Sequence, residues 1–368
     1  MIIKNRVYIT ASTSISCAGN SNEELFLNIC KCNSGIKNNS NFSYNNNPAI
    51  GVINSDLTFD QNLIDQCQKI LENSNLKNFE DTLLILGSSV GGMKNTENSY
   101  FKNSDYKDID INNHNIQTLI DVIESKYKFY DNIAFSTACT SSANAIGYAY
   151  DVIKKDIYKN ILVVGADSIC HTTVGGFDAL GVLSNGVCKP FDENRDGMNV
   201  SEAIACLLIQ NQKTSNSIEV CGVGYSSDAY HMTQPHPNGS KNAMMNALKC
   251  ANIEPKNINY INAHGTGTMA NDTSEASAIE AVFSSEVKVS STKSITGHTL
   301  GAAGAIEAII SSMVIQNQTI PANNNLENIE NKNINLSLET SKEDVNYVMS
   351  NSFAFGGNNC SLVFGRVK

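Results

Sequence analysis

Two segments of this chain have the same order of structure: a short apolar strand, a polar turn, and a helix built mainly of small residues. In the first segment, residues 132–135 lead into a turn that contains Cys139, and small residues suited to a helix follow it. In the second segment, residues 287–289 lead into the turn 291–298, and a helix over 301–315 follows. Because a repeated unit indicates a repeated fold, this correspondence predicts a duplicated α/β architecture.

Small residues recur in both helices at the spacing that places them on one helical face. Gly301, Ala305 and Ala308 do so in the second helix, and Ala143 and Gly147 do so in the first. Residues three and four positions apart are neighbours on a helix surface. We therefore expect each helix to present a nearly side-chain-free face to another backbone.

Apolar runs at 82–87 and 161–166 are typical of strands that are covered on both faces. The chain has 368 residues, and single cores stop growing at roughly 250–300 residues. We therefore expect two halves, 1–212 and 213–368, joined by a polar connection at 211–216.

Four local expectations follow from the residue pattern. Residues 7–10 are predicted to form a strand that is followed directly by polar turn residues, and residues 94–116 look irregular. A short helix is predicted over 117–124. Cys30 and Cys32 have no His or Cys cluster near them in sequence, so we interpret them as packing residues and not as metal ligands.

Composition excludes several classes of function. A net charge of -10 disfavours a surface for nucleic acid or for an anionic membrane. Eleven cysteines, an odd number scattered singly, favour a reducing compartment, so we expect a cytoplasmic protein. No apolar run approaches the 18 residues of a membrane span, and we expect no membrane insertion.

Cys139 is the first candidate for chemistry, because the pattern puts it at or next to the start of a helix. A thiol there is exposed to the positive end of the helix dipole, which favours the thiolate, and free N–H groups there can hold an oxyanion. The alternative is an inert structural cysteine, since a free Cys packs as a small apolar residue.

His264, Lys293 and His298 lie next to strand-like runs, where the loops at one edge of an open α/β sheet converge. Taken singly, each has an ordinary interpretation: a histidine in a Gly- and Thr-rich turn caps that turn, and a lysine is solvated. Together with Cys139 they supply the base and donors that a nucleophilic thiol needs. Glu307 lies in an otherwise apolar helix, and a buried carboxylate needs a partner, for which Lys293 is the candidate.

Five motifs of this chain resemble those of the β-ketoacyl-acyl-carrier-protein synthases, the elongating condensing enzymes of fatty-acid and polyketide synthesis. The resemblance runs in order from about Arg6 to Phe364. The motifs are Thr-Ala-Cys-Thr-Ser at 137–141, Ser-Ser-Asp-Ala-Tyr-His-Met-Thr at 226–233, Asn-Ala-His-Gly-Thr-Gly-Thr at 262–268, Ser-Thr-Lys-Ser-Ile-Thr-Gly-His at 291–298, and Asn-Ser-Phe-Ala-Phe-Gly-Gly at 351–357.

The resemblance implies a duplicated thiolase-like fold in five layers, α-β-α-β-α, and an acyltransferase activity. Cys139 would carry an acyl group from an acyl-carrier protein. His264 and His298 would assist decarboxylation of malonyl-carrier protein, and the carbanion would attack the acyl-Cys carbonyl in a Claisen condensation. The N–H groups of Cys139 and Phe355 would form the oxyanion hole. Lys293, paired with Glu307, would tune the electric field around His264 and its turn.

The same resemblance implies the remaining components. Thr233, Thr266 and Thr268 would hold a phosphopantetheine arm, and Phe355 would gate access to Cys139. That arm would arrive on the carrier protein, so the enzyme would need no cofactor of its own and no metal. Relatives work as homodimers, and a heterodimer with a related subunit is the other arrangement.

Four departures from the family pattern bear on function. Ala354 replaces a glycine beside the gate, where a positive φ would be strained. Gly181 stands where bacterial relatives often have a carrier-contacting arginine, so carrier recognition would pass to Lys189 or Arg195. Residues 94–130, which help to build the dimer contact and acyl pocket in the family, look shorter than usual. Ser201 replaces a glycine and is expected to alter packing only.

Two other activities remain possible on this fold. One is a malonyl decarboxylase or acyltransferase that has lost condensation. The other is a catalytically silent subunit that sets chain length in a heterodimer. Such subunits typically lose the cysteine, so the joint presence of Cys139, His264, His298 and Lys293 favours the active condensing enzyme.

Overall fold

Strands and helices alternate along the chain, as the apolar runs predict. The computed structural model describes residues 5–42, 48–103, 105–283 and 285–367. The strands are β1 (Tyr8–Ser16), β2 (Lys37–Asn38), β3 (Ala49–Ile50), β4 (Leu83–Gly87), β5 (Asp131–Phe135), β6 (Asn160–Asp167), β7 (Ala203–Gln210), β8 (Ile218–Ser227), β9 (Tyr260–Asn262), β10 (Lys288–Ser290), β11 (Thr319–Ile320), β12 (Asn335–Leu336), β13 (Ser341–Lys342), β14 (Tyr347–Phe353) and β15 (Asn358–Arg366). The helices are α1 (Asn22–Cys30), α2 (Phe59–Glu72), α3 (Met93–Asn103), α4 (Gln117–Glu124), α5 (Ser141–Lys154), α6 (His171–Ala179), α7 (Pro237–Ala251), α8 (Met269–Val282), α9 (Lys293–Thr296) and α10 (Ala303–Asn317).

The directions of the strands reveal the duplication. The main sheet has the order β12-β10-β9-β14-β15-β8-β1-β7-β6-β4-β5. From β5 inward, the pairs β5–β4 and β4–β6 are parallel, and the pairs β6–β7 and β7–β1 are antiparallel. From β10 inward, β9 and β14 are parallel and β15 and β8 are antiparallel, so the second half repeats the first. A contact between β1 and β8 joins the two halves at Tyr8 and Ile9.

Apolar clusters pack the helices onto the sheet in five layers. Helices α2 and α4 cover the outer face of the first half, where Ile70 and Ile123 pack with Leu84. Helices α7 and α8 cover the outer face of the second half. Between the two halves of the sheet, α5 and α10 form the central layer. Ile146 of α5 and Ile309 of α10 belong to one apolar cluster, which also contains residues from strands of both halves. The duplicated, five-layered thiolase-like α/β fold is thereby confirmed.

The central helices approach each other closely through their small residues. A Cβ added to Gly304 would lie 2.5 Å from the backbone nitrogen of Ala143. The contact therefore requires glycine on one side, as the small-residue faces predict, although Gly304 and not Gly301 makes it. Segment Leu300–Asn317 is long and apolar enough to cross a membrane, but 83% of it is buried in the protein. Burial of this kind is typical of a core helix.

Two local predictions are confirmed, and the other two are wrong in their bounds. Strand β1 continues to Ser16 because residues 11–16 pair with β7, and the buried Thr13 hydroxyl donates to the Gln66 carbonyl at 3.1 Å. Residues 94–103 belong to helix α3, whose Glu97 carboxylate accepts the N–H of His171 at the start of α6. Helix α4 has the predicted bounds. Cys30 and Cys32 pack against the central apolar cluster.

Strand β5, which leads to Cys139, is the edge of the main sheet. Its residues are only partly buried, and Tyr130 just before it is 71% exposed. The nucleophile candidate thus follows a strand that has one unpaired side.

Candidate active site

A sharp turn between β5 and α5 presents Cys139. Ala138 has a left-handed backbone with φ of 52°, which costs energy for a residue with a Cβ. Its carbonyl accepts the N–H and the hydroxyl of Ser141, at 3.1 and 2.7 Å. These bonds stabilise the turn, and Cys139 lies two residues before the helix begins, as the sequence predicts.

The turn after β10 brings His298 to the sulfur. The Nε2 atom of His298 lies 3.1 Å from Sγ of Cys139. The backbone of His298 is bound to the first half of the chain, because its N–H donates to the Asn199 carbonyl and its carbonyl accepts the Ser201 N–H. Left-handed residues flank it at Gly297 and Leu300. The contact between the two reactive groups therefore spans the interface of the two halves.

A buried network holds His264 beside His298, with ring centroids 5.2 Å apart. The Nζ atom of Lys293 lies 3.4 Å from Nδ1 of His264 and donates to the His264 carbonyl at 2.6 Å. Lys293 also forms a buried ion pair with Glu307. The three hydrogens of the ammonium thus have three acceptors. Nδ1 of His264 accepts from lysine, so the neutral ring carries its proton on Nε2.

The electrostatics of this cluster are set mainly by burial. Burial lowers the pKa of His264 and of His298 well below the usual range, and the Lys293 ammonium acts in the same direction. Both rings are therefore neutral at physiological pH. Burial raises the pKa of Glu307 to about 6, and the attraction of Lys293 opposes that rise.

The Cys139 thiol differs from the sequence expectation. Burial raises its pKa to about 12, and the Lys293 ammonium opposes this rise only in part. The expectation of a thiolate favoured by the helix start is thus wrong for the resting site. The N–H groups of Ser141 and Asn144 in the first turn of α5 donate to the carbonyls of Ala138 and Thr140, so they are occupied. A protonated thiol beside a neutral imidazole needs that imidazole as a base.

The sulfur and imidazole nitrogens of Cys139, His264 and His298 lie within 4.8 Å of one another. Three donor atoms so close could share one metal ion by distance alone. However, the proton on Nε2 of His264 leaves this ring a hydrogen-bond donor with no free lone pair. The arrangement fits proton transfer and hydrogen bonding to a substrate oxygen better than it fits an ion.

A narrow cavity of about 30 Å³ leads to the sulfur. Thr266 and Thr268 lie on its wall, with their hydroxyls 2.9 Å apart, and Phe355 lies on it as well. Thr233 is outside the wall, two residues before Pro235, which contributes to it. The remaining lining residues are Cys139, Phe177, Met198, His264, Asn271, His298, Phe353 and Ala354.

Two expectations about the mouth of the site need correction. The Arg195 side chain is fully buried and donates to the carbonyls of Asp192, Thr268 and Met269, so it is not available to a carrier protein. The guanidinium instead stabilises the loop that carries Thr268.

Strain at Ala354 is absent as well. The left-handed residues of that loop are Gly356 and Gly357, with φ of 83° and 80°.

Sequence reasoning missed two buried carboxylates. Glu275 accepts the N–H groups of His264 and Gly265, at 2.9 and 2.8 Å, and so fixes the turn after β9. Burial raises its pKa to about 7. Its signal in the sequence was its position three residues after Asp272 in a helix of small residues, which puts both acids on one face. Asp167 at the end of β6 had no such signal.

Comparisons with known proteins agree with this geometry. Residues 58–215 match the β-ketoacyl synthase N-terminal domain, and residues 218–327 match the β-ketoacyl synthase C-terminal domain. The chain is 33% identical to 3-oxoacyl-[acyl-carrier-protein] synthase 2 of Coxiella burnetii, over 99% of both chains.

Two solved structures have the same fold. The ishigamide ketosynthase/chain length factor superposes with a TM-score of 0.91 at 25% identity, covering 99% of this chain and 100% of that one. A ketosynthase in complex with its chain length factor from Xenorhabdus doucetiae has a TM-score of 0.86 at 28% identity, covering 99% and 98%. With a relative this similar over its whole length, the chain belongs to the β-ketoacyl synthases, the acyltransferases that elongate fatty-acid or polyketide chains by condensation.

Proposed function

We propose that Cys139, His264, His298, Lys293 and Glu307 together catalyse decarboxylative condensation of an acyl-Cys139 intermediate with malonyl-acyl-carrier protein. The observation that carries the proposal is the 3.1 Å contact between Sγ of Cys139 and Nε2 of His298, next to His264 in one cavity. The product is a 3-oxoacyl-acyl-carrier protein, in fatty-acid or polyketide synthesis.

In the first half-reaction, the acyl group passes from the carrier thioester to Cys139. His298 takes the thiol proton as Sγ attacks the carbonyl carbon. The N–H groups of Cys139 and Phe355 hold the oxyanion, a role for which one donor is typically worth ~10²–10³ in rate. Collapse of the intermediate expels the carrier thiolate, which takes the proton from His298.

In the second half-reaction, malonyl-carrier protein loses CO₂ and becomes a carbanion. The Nε2–H of His264 donates to the thioester oxygen, where negative charge develops. His298, next to His264, assists the same decarboxylation step. The carbanion attacks the acyl-Cys139 carbonyl, a carbon–carbon bond forms, and the carbon–sulfur bond breaks. The thiolate of Cys139 then takes up a proton.

The phosphopantetheine arm of the carrier enters along the wall formed by Thr266 and Thr268, with Thr233 nearer the surface and Phe355 as the gate. The reactive thioester comes with that arm, so the chain requires no cofactor or metal of its own. Lys189, partly exposed and 3.7 Å from Glu327, remains the candidate for recognition of the carrier.

The partner is an acyl-carrier protein, and the active unit is a homodimer, with a heterodimer containing a related subunit as the second arrangement. Support comes from the unpaired side of strand β5 and from the chain length factor complexes of the similar ketosynthases. The halves divide at residue 212, three residues before the end of the matched N-terminal family domain. All eleven cysteines are free, which supports a cytoplasmic location.

The test is an assay of purified protein with acyl- and malonyl-carrier protein. We expect CO₂ release and a 3-oxoacyl product, and Cys139→Ala should abolish acylation as measured by intact mass. Changing the exposed Cys250 to Ala is the matched control and should leave acylation intact. Decarboxylation without product would favour a malonyl decarboxylase, and acylation of Cys139→Ala protein would refute the nucleophile.

A further inference from the structure

Asp167, at the end of strand β6, is a fully buried carboxylate whose hydrogen-bond donors come from both halves of the chain. From the first half, the N–H groups of Ser89 and Val90 donate to it at 2.9 Å, and the Ser88 hydroxyl donates as well. From the second half, the Gly301 N–H donates to its Oδ2 at 2.6 Å. A charge-assisted bond of this kind is stronger than a neutral one.

Each set of donors leads to one of the two reacting groups. The hydroxyl of Ser89 donates at 2.8 Å to the carbonyl of Ala138, the residue before Cys139. Gly301 lies three residues after His298, and the left-handed Leu300 precedes it. The approach of Gly301 leaves no space for a side chain, because an added Cβ would lie 2.8 Å from Oδ2 of Asp167.

The charge of Asp167 does not itself help the nucleophile. The negative carboxylate adds to the rise in the pKa of the Cys139 thiol, as Glu307 does, while Lys293 acts against it. A carboxylate that makes thiolate formation harder has no electrostatic use at this place. Its value to the reaction must then lie in geometry.

We propose that Asp167 is a positioning residue that holds Cys139 and His298 at contact distance across the interface of the two halves. The proposal rests on the proposed function for the roles of these two residues. Both oxygens of the carboxylate accept the Ser89 N–H and so fix the loop that leads to the Ala138 turn. Oδ2 also accepts the Gly301 N–H and so fixes the turn that follows His298. The transfer of the thiol proton to His298 depends on the positions of both turns.

Asp167→Asn tests the proposal. Asparagine keeps the shape and one acceptor oxygen, but in either orientation of the amide its NH₂ group faces backbone N–H groups, those of Ser89 and Gly301 or those of Ser89 and Val90, so a donor meets a donor. Misplacement of reacting groups by about 1 Å can cost on the order of 10²-fold in rate. We expect acyl-Cys139 formation and kcat for condensation to fall by about 10²-fold, while KM for malonyl-carrier protein stays unchanged because Thr266 and Thr268 do not touch Asp167.

A pH profile of Cys139 alkylation separates positioning from electrostatics. Removing the carboxylate charge should raise the alkylation rate at each pH between 7 and 10, so the thiol ionises more easily while catalysis becomes slower. Ser89→Ala, which cuts only the bond to Ala138, should slow acylation without changing the alkylation rate. This milder variant keeps the proposal testable if Asp167→Asn does not fold.

Asp192→Asn is the matched control, since Asp192 is also fully buried and accepts three backbone N–H groups, from Asn194, Glu327 and Asn328. It should lower the thermal midpoint and leave kcat and the alkylation profile unchanged. Normal acylation in Asp167→Asn, or an equal loss of kcat in Asp192→Asn, would overturn the proposal. A wild-type protein that acylates Cys139 but does not condense would refute the proposed function alone, because acylation still reports on Asp167.

Discussion

The Nζ atom of Lys293 contacts two atoms of His264: it lies 3.4 Å from the imidazole Nδ1 and 2.6 Å from the backbone carbonyl oxygen. The bond to Nδ1 keeps the proton of the neutral ring on Nε2, which is the nitrogen left for substrate. Glu307 balances the charge of the lysine inside the protein. A single side chain thus sets both the protonation pattern and the orientation of the histidine.

Changing Lys293 to Met should therefore abolish condensation more than acylation. His264 loses its fixed tautomer, and the loss of a general acid or donor costs about 10²–10⁴ in rate. Glu307 is left buried without a partner, for which breaking a buried pair typically costs about 3–5 kcal/mol. Urea unfolding and single-turnover CO₂ release measure the two effects. The double variant Lys293→Met with Glu307→Gln should recover stability but not activity, and recovery of both would contradict the assigned role.

The reactivity of Cys139 should increase with pH well beyond the range of an ordinary thiol. Its pKa is raised to about 12 by burial, whereas an unperturbed cysteine has a pKa of about 8.5. Below the pKa the thiolate fraction grows tenfold per pH unit, so the alkylation rate should rise without a plateau between pH 7 and pH 10. Peptide mass analysis after timed iodoacetamide treatment measures this rate at Cys139 alone. A plateau below pH 9 would mean that the helix start does stabilise the thiolate.

His264 and His298 should separate the two half-reactions. His298 contacts the thiol, so His298→Ala should slow acyl-Cys139 formation and condensation together. His264 is bound to Lys293 instead, so His264→Ala should spare acylation and reduce condensation by about 10²–10⁴. Intact mass at short times measures the first step, and product formation measures the second. Equal loss of both steps in His264→Ala would contradict this division.

Thr266 should affect the carrier substrate and not the chemistry. Thr266→Val keeps the shape of the side chain and removes a hydroxyl from the cavity wall. A neutral hydrogen bond contributes about 0.5–1.5 kcal/mol, so KM for the carrier substrate should rise by about tenfold or less, with kcat nearly constant. Thr233→Val is the comparison, and its effect should be smaller because Thr233 lies off that wall. A fall in kcat alone would place Thr266 in the chemical step.

Sequence reasoning could find the residues of the site but not the distances between them. Cys139 and His264 stand in recognisable turns, and the fold follows from the repeated strand, turn and helix. The contact of Cys139 with His298 joins residues 159 positions apart. Only the packing of one half on the other produces it, and residue spacing carries no information about that packing.

Charge and backbone conformation account for the errors. Arg195 carries a full charge and stands in a polar turn, so the sequence favours exposure, yet carbonyls of two loops surround it. Ala354 sits beside two glycines, and the sequence does not say which of the three residues takes the left-handed conformation. Burial was underestimated at Cys139, where desolvation raises the pKa of the thiol more than the Lys293 ammonium lowers it.

The central helix layer has a consequence for how the chain is made. Ile146 of α5 and Ile309 of α10 share one apolar cluster, so α5 lacks much of its cover until α10 has been synthesised. During translation the apolar face of α5 in the first half therefore stays exposed until more than a hundred further residues have been synthesised. A fragment ending at residue 212 would expose that face permanently and should aggregate. The two halves repeat one topology, but we expect them to fold as one unit.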